Sequence, residues 1–546
     1  MTTKTPANQM KKQLKLHNQL LWWSAACMVI WMISGICHPL MSWLGPKQVA
    51  FKPPVFESHS LASHSLEMIP NILTHVESSG ILEEKELRVV KVVPTNDEPL
   101  LQLTITDRGE MDNRPESNPV REYFSLQTGE LVPKHDELQA RWLASYYTGK
   151  PESDIVNIQL KKEFDNAYPW VNRLLPVYLV TFKGEEQLTA FVHTETMALA
   201  SLTNETKSLI QTVFQILHTF NFLDDQKNLR VAGVFMAMLC LIGMSVSGFM
   251  LVLLIRSRKI KQVGRRWHRR LAYIVIVPLF AWSITGAYHL IQMAYVESAS
   301  GMRLAKPLDL EAITRNQFVD GEGFDYVGFE DSLVGVSINA VSLVQLDSKP
   351  LMYRVSASKQ AHSTAEHMDH KQKLVQKYQG QSSEKVALYF DAATRLKLGG
   401  NNEDKYRAVE LALQFSGSTQ DQVTSVSRVT RFGPDYDFRN KRLPVWKVAL
   451  NNDEQSVLFI DPTTGILVDQ THWLDRPERW AFSIFHKWNF LTPFIGRFNR
   501  DVLVGVVGCL SLVLTGLGLY IRLKRRTKIK KAKASSPNTE QLGELG

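Results

Sequence analysis

Six histidines stand in or beside the longest apolar stretches of this 546-residue chain, three in each half. They are His17, His38, His218, His268, His289 and His486. Ionisable side chains are costly at membrane depth, so those retained there usually face the interior of a helical bundle. Imidazoles on facing helices of a bundle are a common way to hold a haem iron. The residue type and its placement therefore predict a haem centre.

The spacing of the histidines supports this interpretation. His17 and His38 are 21 residues apart, as are His268 and His289. In an α-helix that spacing corresponds to roughly 31 Å, about one bilayer core. Twenty-one steps of about 100° return to within about 60° of the start, so both histidines of a helix face broadly the same way.

The sequence is compatible with more than one pairing of the histidines. A two-fold bundle permits a pair on its axis, such as His38 with His289. It equally permits pairs away from the axis, His38 with His218 and His289 with His486. Histidines at membrane interfaces also cap helices or bind lipid headgroups, and His17 and His268 stand in basic runs where that alternative applies.

Four segments are almost free of charge and long enough to cross a bilayer, which needs about 20 apolar residues. They are residues 20–44, 231–255, 271–293 and 502–521. These segments exclude a soluble cytosolic enzyme, a fibrous protein and a disordered chain. Small residues late in the first and third segments, Ser34-Gly35 and Thr285-Gly286, favour close packing of helices.

The net charge of +9 is unevenly placed. Segments 256–270 and 522–533 each carry eight Lys or Arg residues and no acid. The positive-inside rule places them in the cytoplasm with both termini. The excess of basic residues therefore indicates the membrane topology of the chain and does not indicate binding to nucleic acid.

The predicted order alternates spans with polar segments. It is a cytoplasmic N-terminus 1–19, span 20–44, outer domain 45–230, span 231–255, basic loop 256–270, span 271–293, outer domain 294–501, span 502–521 and a basic, disordered tail 522–546.

The sequence indicates a tandem duplication. The sequence LPVYLV at 175–180 recurs as LPVWKV at 443–448, and the same offset carries His218 onto His486. A slightly shorter offset carries His17 onto His268 and His38 onto His289. Both basic ends lie on one side, so we expect a parallel repeat with a pseudo-two-fold axis along the membrane normal.

The outer domains have α+β patterns. Alternating residues predict a hairpin at 175–200 with its turn at 183–186, and another at 445–468 with its turn at 461–465. Helices are predicted at 136–147 and 405–415, each ending near a glycine. All four cysteines lie in the spans, so no disulfide framework is expected.

Several of these elements together resemble the PepSY-associated transmembrane proteins, iron-regulated proteins of the inner membrane of Gram-negative bacteria. The matching elements are RRWHR at 265–269, TG at 285–286, the strand-and-turn sequence from Pro444 to the DPTTG at 461–465, and FHKWNFL at 485–491. The resemblance covers nearly the whole chain. It implies a four-helix transmembrane bundle with two periplasmic α+β domains of PepSY type.

The resemblance also implies a function. Proteins similar to this one include di-haem b-type proteins that reduce ferric siderophores in the periplasm. That implies two haem b groups with ligands among the six histidines, and a ferric chelate or siderophore as substrate. The chain lacks the nucleotide-binding motifs GxGxxG and GxxxxGK[ST], so electrons would come from membrane quinol or a separate donor. The alternative is a PepSY-type binding module that regulates an envelope peptidase or transporter without redox activity.

A second candidate metal site lies in a polar insertion of the second half. His362, His367 and His370 stand there with Glu366 and Asp369, a composition that can catch a metal ion. A solvated loop without a ligand is the alternative interpretation.

Overall fold

A computed structural model describes residues 6–57, 66–109, 119–184, 186–255, 260–296, 302–304, 306–310, 335–346, 349–358, 368–394, 396–398, 402–433 and 435–534. The chain forms two compact units. A helical unit contains residues 1–44, 209–297 and 477–546, and a sheet unit contains residues 45–208 and 298–476.

The α-helices are numbered along the chain. They are α1 Pro6–Leu44, α2 Met68–Ser78, α3 His135–Thr148, α4 Glu205–Phe214, α5 Lys227–Leu254, α6 Val263–Tyr295, α7 His370–Gln379, α8 Glu403–Ser416, α9 Asp475–Ala481 and α10 Thr492–Ala534.

The strands are numbered in the same way. They are β1 Phe56–Glu57, β2 Lys85–Val93, β3 Leu100–Asp107, β4 Val120–Ser125, β5 Ile155–Lys161, β6 Val177–Phe182, β7 Thr189–His193, β8 Ala198–Thr203, β9 Ser337–Leu346, β10 Lys349–Ser358, β11 Val386–Asp391, β12 Val423–Val429, β13 Val445–Leu450, β14 Val457–Ile460 and β15 Leu467–Thr471.

The helical unit is built from four long helices. α1 and α6 each pack against both α5 and α10. The apolar stretches that are long enough to cross a membrane lie in Ala7–Leu44, Glu205–Leu254, Val263–Tyr295 and Asn489–Thr527, which confirms four candidate spans. Large apolar side chains remain exposed on these helices, among them Leu253 at 63% and Val277 at 69%. Such surfaces are typical of contact with lipid.

The interior of the helical unit is apolar around its middle. Trp31, Met238 and Leu279 are buried against one another in a cluster contributed by α1, α5 and α6. Side-chain packing between the helices thus holds the spans in register.

The sheet unit confirms a mixed helix and sheet architecture with antiparallel sheets. Its largest sheet has the order β11-β10-β9-β2-β3-β4, and β1 pairs with β9. Strands β2 to β4 come from the first half of the sequence and β9 to β11 from the second. The halves join where Val90 of β2 pairs with Leu343 of β9. The two segments predicted as separate domains therefore share one sheet and one compact unit.

Two four-stranded meanders, β5-β6-β7-β8 and β12-β13-β14-β15, repeat the same topology. In the first, Tyr178 pairs with Val192, and in the second Trp446 pairs with Ile460. Both partners of the second pair are the duplicated counterparts of those in the first, so the repeat preserves strand register. The turn at 461–465, predicted to close a hairpin over 445–468, instead joins β14 to β15, and residues 451–456 join β13 to β14.

The predicted helices 136–147 and 405–415 correspond to α3 and α8, which pack against the first and second meander respectively. Ala140, Leu143 and Ala144 of α3 are fully buried in the first of these cores. Both helices end at a glycine in the left-handed conformation, Gly149 and Gly417.

A buried arginine links β10 and α8 to the segment that precedes β11. The Arg354 guanidinium of β10 bonds the Glu384 carboxylate at 2.9 Å and the Asp404 carboxylate of α8 at 2.7 Å, and its side chain is fully buried. Burial alone would raise the pKa of Asp404, but Arg354, with hydrogen bonds from Tyr389 and Trp446, holds it below its usual value of 3.8. Removing one partner of such a cluster leaves uncompensated buried charge.

Replacing Arg354 with Met should therefore lower the free energy of unfolding by about 3–5 kcal/mol. The matched control is Lys183→Met, because Lys183 pairs with Asp154 at 2.8 Å on the surface, with its side chain 61% exposed. An exposed pair contributes under about 1 kcal/mol. Thermal unfolding of the full chain in detergent measures both variants, and equal losses of Tm would contradict the assignment.

Stability should also fall in acid. The lowered pKa of Asp404 stabilises the folded state above about pH 4, where the unfolded carboxyl is ionised, and this contribution is lost as the pH falls toward the lowered folded pKa. Because Arg354→Met removes the cause of the lowered pKa, the difference in Tm between this variant and the wild type should narrow from pH 7 to pH 3. A constant difference over that range would show that Asp404 titrates normally.

Candidate functional site

Four histidines of the helical unit are held in the same manner by a neighbouring helix. His17 and His268 form the basic-end pair, named for the basic segments of the sequence beside them. His218 and His486 stand at the other end of the spans, together with His38 and His289, and these four are the far-end histidines.

At the far end, hydroxyl groups fix two of the imidazoles. Ser34 Oγ lies 3.0 Å from His218 Nδ1 and donates its own hydrogen to the Ile30 carbonyl at 2.7 Å. A hydroxyl has one hydrogen, so Ser34 accepts from the N–H at His218 Nδ1. Thr285 bonds His486 Nδ1 at 3.2 Å in the same way, since its hydrogen goes to Ala281 at 2.7 Å.

The basic-end pair follows the same rule. His17 Nδ1 lies 3.1 Å from Ser247 Oγ, whose hydrogen is donated to the Met244 carbonyl at 3.0 Å. His268 Nδ1 donates to the Leu514 carbonyl at 3.2 Å, because a carbonyl can only accept. In all four neutral imidazoles the free lone pair is therefore on Nε2. Metal-binding histidines are oriented by this kind of bond from the other ring nitrogen.

Glycines provide the room for these rings. A Cβ at Gly35 would lie 3.8 Å from His218 Cε1, and one at Gly286 would lie 3.7 Å from His486 Cε1. At the other end a Cβ at Gly248 would lie 3.8 Å from His17 Cε1, and one at Gly518 would lie 3.3 Å from His268 Cε1. At Gly518 a Cβ would press on the His268 ring, whereas at the other three positions a Cβ would make ordinary van der Waals contact and only a longer side chain would crowd the imidazole.

The two rings of the basic-end pair have the separation of shared metal ligands. The ring centroids of His17 and His268 are 6.5 Å apart, with an angle of 83° between the ring planes. Two imidazoles bound through Nε2 on opposite sides of one metal, with bonds of about 2.0–2.1 Å, would have centroids about 6.4 Å apart. The centroid separation of His17 and His268 matches that spacing.

A phenylalanine contacts both imidazoles of each half at the far end. Phe482 stacks on His289 at 4.1 Å and on His486 at 4.5 Å. Phe214 stacks on His218 at 4.7 Å and lies 6.0 Å from His38. Phe482 therefore packs against both far-end histidines of the second half, whereas Phe214 stacks on only one of those of the first half.

The chain before α5 and α10 has special backbone geometry that places these rings. His218 lies in a π-helical turn, Gln215–Thr219, and His486 in the equivalent turn Phe482–His486. Trp31 donates its indole N–H to the His218 carbonyl at 3.3 Å, and Trp282 to the His486 carbonyl at 3.1 Å. Both indoles therefore support the histidine backbone. Single π-helical turns often mark functional sites.

His289 has a charged partner. Its Nδ1 lies 2.6 Å from Glu478 Oε1, and the Glu478 side chain is 8% exposed. His38 instead lies within electrostatic range of Arg497, Lys487 and Arg500. The far end is therefore not symmetric in charge.

The second candidate metal site, His362, His367 and His370, lies partly outside the described residues. His370 is the first residue of α7, which Asp369 caps by accepting from the Gln372 N–H at 2.7 Å. His362 and His367 lie outside the described residues. Within the described part of the chain, no group of three or more His, Cys, Asp or Glu side chains is arranged to hold a metal ion.

Sequence reasoning misses the residues that hold the histidines. From the sequence, Ser34-Gly35 and Thr285-Gly286 are assigned to helix packing, whereas in the structure they bind and seat His218 and His486. The available signal is the recurrence of a hydroxyl residue followed by glycine, which Ser247-Gly248 shares.

Comparison with protein-family models and with curated proteins finds no match to this chain.

If the far-end histidines hold a haem, as the sequence predicts, Gly286→Leu should lower the haem content, because a leucine side chain extends beyond a Cβ that would already lie 3.7 Å from His486 Cε1. Gly233→Leu in α5 is the matched control, since a Cβ there meets nothing within 4 Å. The measurement is haem per chain by the pyridine haemochrome method. A Gly286→Leu protein with wild-type haem content would contradict the role of this glycine.

Proposed function

We propose that this chain is a b-type haem protein of the bacterial inner membrane that passes electrons outward to reduce ferric iron, or a ferric siderophore, in the periplasm. The observation that carries the proposal is the basic-end pair, His17 and His268, with ring centroids 6.5 Å apart and both Nδ1 atoms bonded. Such a pair suits axial ligation of one haem iron.

The far end supports a second haem. His218 and His486 are equivalent under the duplication, are seated against glycine in the same way, and lie within electrostatic range of each other. Along α1, His17 and the Ser34 that holds His218 are separated by roughly 26 Å, at about 1.5 Å of helix rise per residue. Two sites at that separation would carry electrons across most of a bilayer core.

Bound haem b supplies reversible one-electron transfer. The residues of the chain orient the imidazoles and exclude water. Ser34, Ser247 and Thr285 hold the imidazoles in the tautomer that presents Nε2, and the glycines admit the ring edges. The apolar cluster around Trp31, Met238 and Leu279 excludes water between the two ends.

The remaining parts of the proposal follow from charge and composition. Both basic segments face the cytoplasm, the sheet unit is periplasmic and of PepSY type, and membrane lipid surrounds the spans. Electrons come from membrane quinol or a separate donor. The ferric chelate is the acceptor, and reduction weakens the hold of its oxygen ligands on the iron.

The test is a visible spectrum of the detergent-purified chain, oxidised and dithionite-reduced, with haem quantified per chain. We expect split α and β bands and about two haems, as the resemblance implies. His268→Ala and His486→Ala should each lose one haem, because each removes one axial ligand. His75→Ala, on the exposed face of α2, is the control and should keep both.

A colourless protein after expression with haem precursor would overturn the proposal and favour a binding or regulatory module. Normal haem content in both alanine variants would remove these histidines as ligands. Reoxidation of the reduced protein by ferric siderophores in a stopped-flow instrument then tests the acceptor.

A further inference from the structure

The far-end histidines have diverged between the two repeats. His289 is bonded by the Glu478 carboxylate. At the offset that carries His218 onto His486, the first-half equivalent of position 478 is Ile210. An isoleucine cannot accept a hydrogen bond or carry charge. Comparison of the two repeats therefore shows that the carboxylate at position 478 is present in one repeat only.

Local structure explains how Glu478 reaches the site. α9 leads directly into the π-helical turn Phe482–His486, so Glu478 and Phe482 are four residues apart on one face. The carboxylate bonds the edge of His289 while Phe482 stacks on its face. The same phenyl ring stacks on His486 at 4.5 Å, which places the acid close to the far-end ligands.

The charge of a buried carboxylate acts strongly here. Glu478 is nearly enclosed, so solvent screens it less than a surface acid. Negative charge near an iron centre stabilises its ferric form relative to its ferrous form. A carboxylate bonded to the second nitrogen of an imidazole also raises the basicity of the first. Both effects lower a reduction potential.

We propose that Glu478 sets the reduction potential of the far-end haem, acting as a positioning residue through its bond to His289. The inference rests on the proposed haem function. It holds whether His289 is an axial ligand or a neighbour of the ligand His486. The Nδ1 atoms of the basic-end pair are bonded to neutral groups, Ser247 and Leu514. The lowering of the reduction potential is therefore confined to the far end.

The test is a potentiometric titration of the haem-loaded full chain, wild type and Glu478→Gln, at one pH. Glutamine keeps the volume and an oxygen that accepts from His289, and removes the charge. We expect the far-end midpoint potential to rise by about 59 mV, equal to a tenfold change in the one-electron equilibrium. The basic-end potential, identified by its loss in His268→Ala, should not move.

Two further variants separate charge from structure. Glu478→Asp keeps the charge and should leave the potential near the wild-type value. Asp224→Asn removes a carboxylate of the helical unit that pairs with Arg230, and it should shift neither potential.

Each outcome has one meaning. The role of Glu478 is overturned if the Glu478→Gln protein is coloured and its potentials are unchanged, or if its far-end potential shifts no more than that of Asp224→Asn. Either result leaves the haem proposal intact. An equal rise at both haems also overturns it. A colourless wild-type protein overturns both the inference and the proposed function.

Discussion

The helical unit depends on a reciprocal bond between neighbouring helices. α1 presents Ser34 to His218, which precedes α5, and α5 presents Ser247 to His17 of α1. The second half repeats the arrangement, with Thr285 of α6 bonding His486 and the Leu514 carbonyl of α10 bonding His268. These bonds determine the tautomer and the orientation of each imidazole ring, and they connect each helix to its neighbour. An unpaired imidazole N–H in an apolar bundle would be costly, so the bonds also fix the register of the helices.

The sheet unit is organised by burial of charge. Arg442 bonds both the Glu195 carboxylate of the first half and Asp461 of the second half, and all three residues are buried. Burial would raise the pKa of Glu195, but Arg442 and Lys91 hold it well below its usual value. Together with the strand pair β2–β9, this cluster joins the two repeats within one compact unit.

Duplication followed by divergence accounts for much of the asymmetry. The two meanders keep the same register, yet the acid beside His289 has only an isoleucine at its counterpart position. A duplicated scaffold supplies two equivalent sets of histidines, and single substitutions near one set can then make the surroundings of the two sets differ. Phe214 and Phe482 were retained in both repeats, each against a histidine at the far end.

The sequence by itself determined the four apolar spans, the helices α3 and α8, the hairpin of β6 and β7 and the repeated placement of six histidines, because each depends on local periodicity, length or an internal repeat. Only the tertiary structure decided which residues meet. The seven-stranded sheet shared by the two halves, the Glu478 bond to His289 and the hydroxyl bonds to the imidazoles all join positions that are distant in the chain. Hydrophobic patterning carries no information about such pairs, since a serine that packs a helix and one that holds a histidine have the same local sequence signal.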